Sequence, residues 1–229
     1  MANKKTRAEL RNGKLRKVAG DLFLRRGYDG VTIDQIVELA GGSKSTVYSE
    51  FGGKCGLFIS SIERLCREST EPLTKIDYTG LDLRQSLIKL GFHILKLITE
   101  KQSVDLHRLA IGEAAQCPEV GVAWYTHGPA RTASIIATVL QRHAAELDTA
   151  TISIEQMAMV LHDALTGDVL YRRLAGVSKA QSDSDLQGTA QMIVDVVLAD
   201  ACMGAARTNE RTKRHGNNSR RPTRPGSLR

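Results

Sequence analysis

Apolar positions recur along this chain with the period of an α-helix, and nowhere with the alternation of a strand. Leu15, Ala19, Leu22 and Phe23 predict a first helix, closed at Arg26-Gly27-Tyr28. Ile33, Ile36, Val37 and Ala40 fall at i, i+3, i+4 and i+7, so a short second helix buries one stripe. Thr32 and Gln35 form a Thr-x-x-Gln capping box at its start, and Gly41 follows where a left-handed cap needs a residue without a Cβ. Ser43 then caps a third helix, whose strong apolar anchors are Val47 and Phe51, with Tyr48 beside them. Its other positions, Lys44, Ser45, Thr46, Ser49 and Glu50, are short or polar.

Longer stripes follow. Leu57, Phe58, Ile62, Leu65 and Cys66 predict a fourth helix that stops before Pro72, and Leu83, Leu87, Leu90, Ile94, Leu97 and Ile98 a fifth. A sixth runs from 106 to 115 and a seventh from 119 to about 146, with Gly128-Pro129 marking a kink or break inside it. An eighth runs from 154 to 175, and Leu186, Ala190, Ile193, Val194, Val197, Leu198 and Ala201 stripe a ninth. The expected fold is therefore all-α with about nine helices. It divides into a three-helix head with a helix-turn-helix (residues 1–55), a larger helical body (56–204) and a basic tail (205–229). That tail is too poor in apolar side chains to offset chain entropy, so it is expected to be disordered.

A third helix with two inward anchors and small hydrogen-bonding groups outward can approach base edges without burying unpaired polar atoms. Charge points to the same partner. Residues 1–55 carry eleven Lys/Arg against six Asp/Glu, residues 56–204 thirteen against eighteen, and residues 205–229 eight against one. A basic head on an acidic body is the distribution of a DNA binder with a separate regulatory part. Lys4, Lys5, Arg7, Arg11, Lys14, Arg16 and Lys17 lie in or before the first helix, within reach of flanking phosphates, although any one of them alone reads as a solubilising charge.

Residues 15–54 resemble the TetR family of bacterial regulators through the first-helix stripe, Arg26-Gly27-Tyr28, Ser43-Lys44-Ser45-Thr46-Val47-Tyr48, and Phe51 through Lys54. The resemblance implies that Lys44, Ser45, Thr46, Ser49 and Glu50 stand at base-facing positions, and Thr32, Tyr48 and Lys54 at phosphate-contacting ones. A carboxylate near DNA is repelled unless a cytosine amino group meets it, so Glu50 reads as a neighbour and not a reader. Gly42 and Gly52-Gly53 depart from the family pattern, and the freedom they add predicts a mobile head.

Residues 107–140, through Arg108, Glu113, Pro118-Glu119 and Gly128-Pro129-Ala130, are similar to the C-terminal domain of AefR-like members of that family. This implies a homodimer through the last two long helices, here with Ala158, Leu161, Leu165, Leu170, Ile193, Val197 and Ala201 as the apolar face. It also implies an apolar or aromatic small-molecule effector in the body. Candidates for the pocket lining are Phe58, Ile62, Phe92, His93, His107, Trp124, Tyr125 and His162, although for each one taken alone ordinary core packing or plain exposure is the better reading. The function so implied is a sequence-specific transcriptional regulator, a repressor released from a palindromic double-stranded DNA operator by its ligand. The alternative is a DNA-binding regulator or architectural factor without an effector.

Several classes fall away on composition. No stretch approaches the roughly eighteen apolar residues that cross a bilayer, and the basic N-terminus has no signal-peptide core, so a cytoplasmic location is expected. There is no Gly-x-Ser-x-Gly, phosphate-binding glycine loop or paired nucleophile and base, so no catalytic residue is assigned and an enzyme is not expected. The histidines form no i, i+4 pair, so neither metal nor cofactor is expected. Cysteines 55, 66, 117 and 202 show no Cys-x-x-Cys pair and indicate no disulfide framework. Cys55, next to Lys54 at the start of a helix, is a weak candidate for redox sensing. Cys66 is no partner for it, since eleven residues of helix separate them by about 16 Å.

Overall fold

The computed structural model describes residues 6–147, 149, 152–177 and 181–216, with side chains through residue 199. Among them stand ten α-helices and two short 3-10 turns: α1 (Arg7–Arg26), α2 (Ile33–Ala40), α3 (Lys44–Phe51), α4 (Lys54–Thr70), a turn at Glu71–Lys75, α5 (Leu83–Thr99), α6 (Lys101–Glu113), α7 (Pro118–His127), α8 (Pro129–Arg142), a turn at Ala144–Glu146, α9 (Ile154–Leu174) and α10 (Asp183–Gly216). The tenth helix arises because the predicted seventh is two. Gly128 closes α7 by donating its N–H to Trp124 O at 2.8 Å, and Pro129, which has no N–H to give, opens α8.

Local signals start and stop most elements. Thr6, Thr32, Asp82 and Ser153 each form a capping box with a Glu or Gln three residues on. The last helix is described to Gly216, so it enters the stretch expected to be a disordered tail; Ala205, Ala206, Arg207, Arg211 and Lys213 are good helix formers. Lys4, Lys5, the side chains of Ala201 and Cys202, and residues 217–229 lie outside what is described.

Two hydrophobic cores result. The first joins Leu15, Ala19, Leu22, Phe23, Ile36 and Val47 of the head to Leu57, Phe58, Ile62 and Leu65 of α4, and reaches Leu106, Ala110 and Val120 of α6 and α7. It therefore runs past residue 55. The second is the body bundle, where α5 packs against α8, α9 and α10 through Leu87, Leu90, Ile94, Ile136, Leu161, Leu165, Ala190 and Val194. Arg108 ties α6 to this bundle by donating to the carbonyl oxygens of Arg173 and Leu174 at the C-terminus of α9.

The apolar face expected to meet a partner is turned inward. Ala158, Leu161 and Leu165 are buried in the protomer's own core, and Leu170, Ile193 and Val197 pack half-buried against it. A stripe read from sequence does not say which of two neighbours will cover it. Met159, Val160 and Tyr171 on α9 and Met192 and Val196 on α10 remain exposed instead, Val196 at 68%.

Candidate nucleic-acid interface and ligand cavity

The head presents α3 as a ledge on one anchor. Val47 is the fully buried residue of α3, and Phe51 is half-buried with the Arg16 guanidinium 5.5 Å from its ring centroid. Lys44, Ser45, Tyr48, Ser49 and Glu50 are exposed, and Thr46 is half-buried. Gly41 has the positive φ expected of a cap, 71°, but an extended ψ of 135°, so it turns the chain without a left-handed helical closure. Gly42 at φ 143° and Gly53 at φ 114° hold conformations that side chains rarely adopt. These departures from the family pattern are therefore demanded by the turns themselves and do more than loosen them.

Three hydroxyls meet at the start of α3. Ser43 Oγ accepts from Thr46 N–H at 3.2 Å and lies 2.7 Å from Ser45 Oγ and 3.1 Å from Thr46 Oγ1. The cluster fixes side-chain direction, and each hydroxyl keeps further donor or acceptor capacity. Ser49 donates to Thr46 O at 3.3 Å. Lys44 is paired with Asp34 of α2 at 2.8 Å, an exposed contact that raises the Lys44 pKa through the hydrogen bond and the adjacent charge. Glu50 accepts from Asn12 Nδ2 of α1 at 2.8 Å. That bond turns the carboxylate toward α1, a partner thirty-eight residues away that spacing does not reveal.

The three phosphate-position candidates lie at helix starts or on the exposed side. Thr32 Oγ1 accepts from Gln35 N–H at 3.3 Å, which leaves its own proton to donate. Tyr48 is 59% exposed. Lys54 opens α4 with its ammonium 4.2 Å from the Tyr28 ring centroid, a cation–π contact that holds the charge against the head.

A cavity of about 590 Å³ opens in the body between α4, α5, α6, α7, α8 and α9. His107, Trp124, Tyr125 and His162 line it. Phe58 and Ile62 do not: both are fully buried in the head core, where Phe58 sits 4.8 Å from the Phe23 ring and 4.9 Å from the Tyr28 ring. Phe92 and His93 do not either. Phe92 packs half-buried against the body core, and His93 faces a second, more open groove with Lys89 and Lys96, where burial together with those two charges lowers its pKa.

Sequence reading passed over Cys66, Ser69 and Thr70, the last turns of α4, which form one cavity wall. Cys66 counted only as part of the α4 core stripe, and the polarity of Ser69 and Thr70 hid them, although they continue that stripe at helical spacing. Burial pushes the Cys66 thiol up to about 12, so it is an inert wall. Thr70 Oγ1 receives a hydrogen bond from Arg131 Nε at 3.0 Å, which joins α4 to α8. His107 Nδ1 lies 2.6 Å from Ser103 O, so it carries the proton and leaves Nε2 as an acceptor. Burial, opposed by that bond, lowers the His107 pKa and keeps the ring neutral near pH 7. Its edge meets Trp124 at 5.4 Å. Among the described residues no cluster of three metal-ligating side chains occurs, and no helix is long and apolar enough to cross a membrane.

Known proteins agree with this architecture. Residues 15–60 match the model of bacterial regulatory proteins of the tetR family, and residues 85–200 match that of the AefR-like transcriptional repressor C-terminal domain. An uncharacterised HTH-type transcriptional regulator of Mycobacterium tuberculosis is 26% identical over 188 residues, covering 82% of this chain and 86% of its own. Among solved structures, a TetR-family regulator from Mesorhizobium loti superposes with a TM-score of 0.69 at 24% identity, over 85% of this chain and 98% of that one. The flavonoid-responsive regulator FrrA superposes with a TM-score of 0.68 at 21% identity, over 83% of this chain and 96% of its own.

Proposed function

The chain belongs to the TetR family of bacterial transcriptional regulators, with an AefR-like C-terminal domain, and from that premise we propose that it is a repressor released from a palindromic operator by a small aromatic ligand. Lys44, Ser45, Thr46 and Ser49 read base edges in the major groove, while Thr32, Tyr48 and Lys54 hold the backbone and set register. Two copies pair through α9 and α10, so that two heads meet successive major grooves.

The observation that carries the ligand half is the double membership of α4. Its first turns, Leu57, Phe58 and Ile62, are locked into the head core, and its last turns, Cys66, Ser69 and Thr70, face the cavity. A rod of seventeen residues spans about 25 Å, so a ligand that displaces its far end tilts the head. Such a ligand acts only through its different affinity for the two head positions. The cavity has the volume of a ligand site, and its surface is mainly apolar with hydroxyls at Ser69, Ser103, Thr132 and Thr166. A neutral His107 with a free Nε2 acceptor suits a phenolic hydroxyl.

The chain has one tryptophan, Trp124, and it lines the cavity. The test is to select bound duplexes from random fragments with the purified protein, then titrate phenolic and aromatic compounds while following Trp124 fluorescence and DNA release together. Quenching and release over the same concentration range support the reading. Tight DNA binding that no cavity-occupying compound alters would instead mark a regulator without an effector.

A further inference from the structure

We propose that Cys55 and Cys117 form a reversible intramolecular disulfide that pins the start of α4 to the start of α7. Their sulfur atoms lie 3.0 Å apart, although sixty-two residues separate them in the chain. A disulfide sulfur pair sits at about 2.05 Å, so side-chain rotation of about 1 Å closes the bond. Cys66 takes no part: it is buried in the cavity wall about 16 Å along α4 from Cys55.

The surroundings assign the two thiols different duties. Cys55 is exposed to solvent, and Cys117 is half-buried. Cys117 Sγ also donates to Glu119 Oε2 at 3.5 Å, and burial together with the Cys55 contact pushes its pKa up to about 11. The exposed Cys55 sulfur attacks hydrogen peroxide or a related hydroperoxide; the O–O bond breaks, one water leaves, and Cys55 becomes a sulfenic acid. The Cys117 sulfur then attacks the Cys55 sulfur, the Cys117 proton passes by way of the Glu119 carboxylate to the departing hydroxyl, and the sulfenic oxygen leaves as a second water. Two thiols are thereby oxidised by two electrons, and one peroxide is reduced to two waters. Glu119 is the proton carrier in this step.

The bond would join α4 and α7, which pack against each other and both line the ligand cavity, through Cys66 and Trp124. It would fix the head where the structure now shows it. This consequence for DNA rests on the reading under Proposed function; the bond itself does not.

The test uses full-length protein, reduced, desalted and exposed to stoichiometric hydrogen peroxide, then mapped as peptides without reductant. A linked pair of peptides containing residues 55 and 117, about 2 Da lighter than the sum of their thiol forms and released by dithiothreitol, is expected. Cys55→Ser and Cys117→Ser should each lack it, and Glu119→Gln should form it severalfold more slowly. The oxidised wild type should melt about 5–15 °C higher than the reduced form, a shift absent in Cys55→Ser. Separate overoxidation without linkage, or pairing of Cys55 with any other cysteine, overturns the proposal. In a second arm, the affinity for one selected duplex should differ at least about fivefold between oxidised and reduced wild type and not in Cys55→Ser. Equal affinities overturn the regulatory consequence. Reduced protein that binds no duplex at all breaks the operator reading and leaves the peptide result to stand or fall alone.

Discussion

Thr46 and Tyr48 stand two positions apart on α3 and differ in what they can reach. Thr46 is half-buried at the Ser43 cluster near the helix start, while the Tyr48 ring lies exposed on the surface over Gly53. Thr46→Ala is therefore expected to relax discrimination at one base pair of the half-site by about 1–3 kcal/mol, and Tyr48→Ala to weaken all duplexes alike. Affinities on a panel of single-base operator variants check this, and a sequence-selective loss from Tyr48→Ala would reverse the assignment.

Gly53 makes a sharper claim on backbone chemistry. It holds φ 114°, and a Cβ there would meet the Tyr48 ring at 3.4 Å. Gly53→Ala should cost about 1–3 kcal/mol in urea unfolding. A neutral result would mean that the turn can relax into an ordinary conformation.

His107 links a single proton to stability. Burial holds its folded pKa below the ordinary 6.5, so the unfolded chain takes up a proton first as the pH falls. Stability then declines as the pH drops below about 6.5, toward the lowered folded value, and is fully present above it. His93, lowered for similar reasons, contributes with the same sign. His107→Gln should flatten the fall in melting temperature between about pH 7.5 and 5.5. An unchanged slope would place the titration elsewhere.

At the scale of elements, α9 and α10 show how an apolar stripe can mislead. Their small and branched faces cover α5 and each other, and the surplus lies on the opposite side at Met159, Val160, Tyr171, Met192 and Val196. Met192 and Val196 are four apart, so they share one face of α10. Burying that face in a second copy is the ordinary use of such a surface in a helical protein. Met192→Glu with Val196→Asp should raise the dimer dissociation constant at least about 100-fold without loss of helical content. Sedimentation reads this directly, and an unaltered dimer would move the interface to another face.

For the whole molecule, the decisive arrangement is that α4 is held in the head core at one end and walls the body cavity at the other. A head with its own closed core could turn freely on a linker, and a ligand in the body would have no means of moving it. Here Leu57, Phe58 and Ile62 fasten one end of α4 to α1, and the cavity acts on the other end. Two such heads in a dimer are expected to select half-sites about 10 base pairs apart, centre to centre, and to lose most affinity when about half a turn of DNA is inserted between them. The recovered fragments give that spacing without further experiment.

The sequence alone determined the all-α class, the helix-turn-helix and its outward polar face, because each rests on contacts within about four residues: the capping box at Thr32, the stripe from Ile33 to Ala40, the stop at Gly27. Only the tertiary structure decided that Phe58 and Ile62 serve the head core and not the cavity. It alone turned Glu50 to Asn12, sent the α9 and α10 stripes inward, and brought Cys117 to Cys55. Periodicity states that a side chain must be covered and is silent on what covers it. That choice depends on how rigid helices far apart in the chain pack against one another, and no local pattern encodes the distance between them.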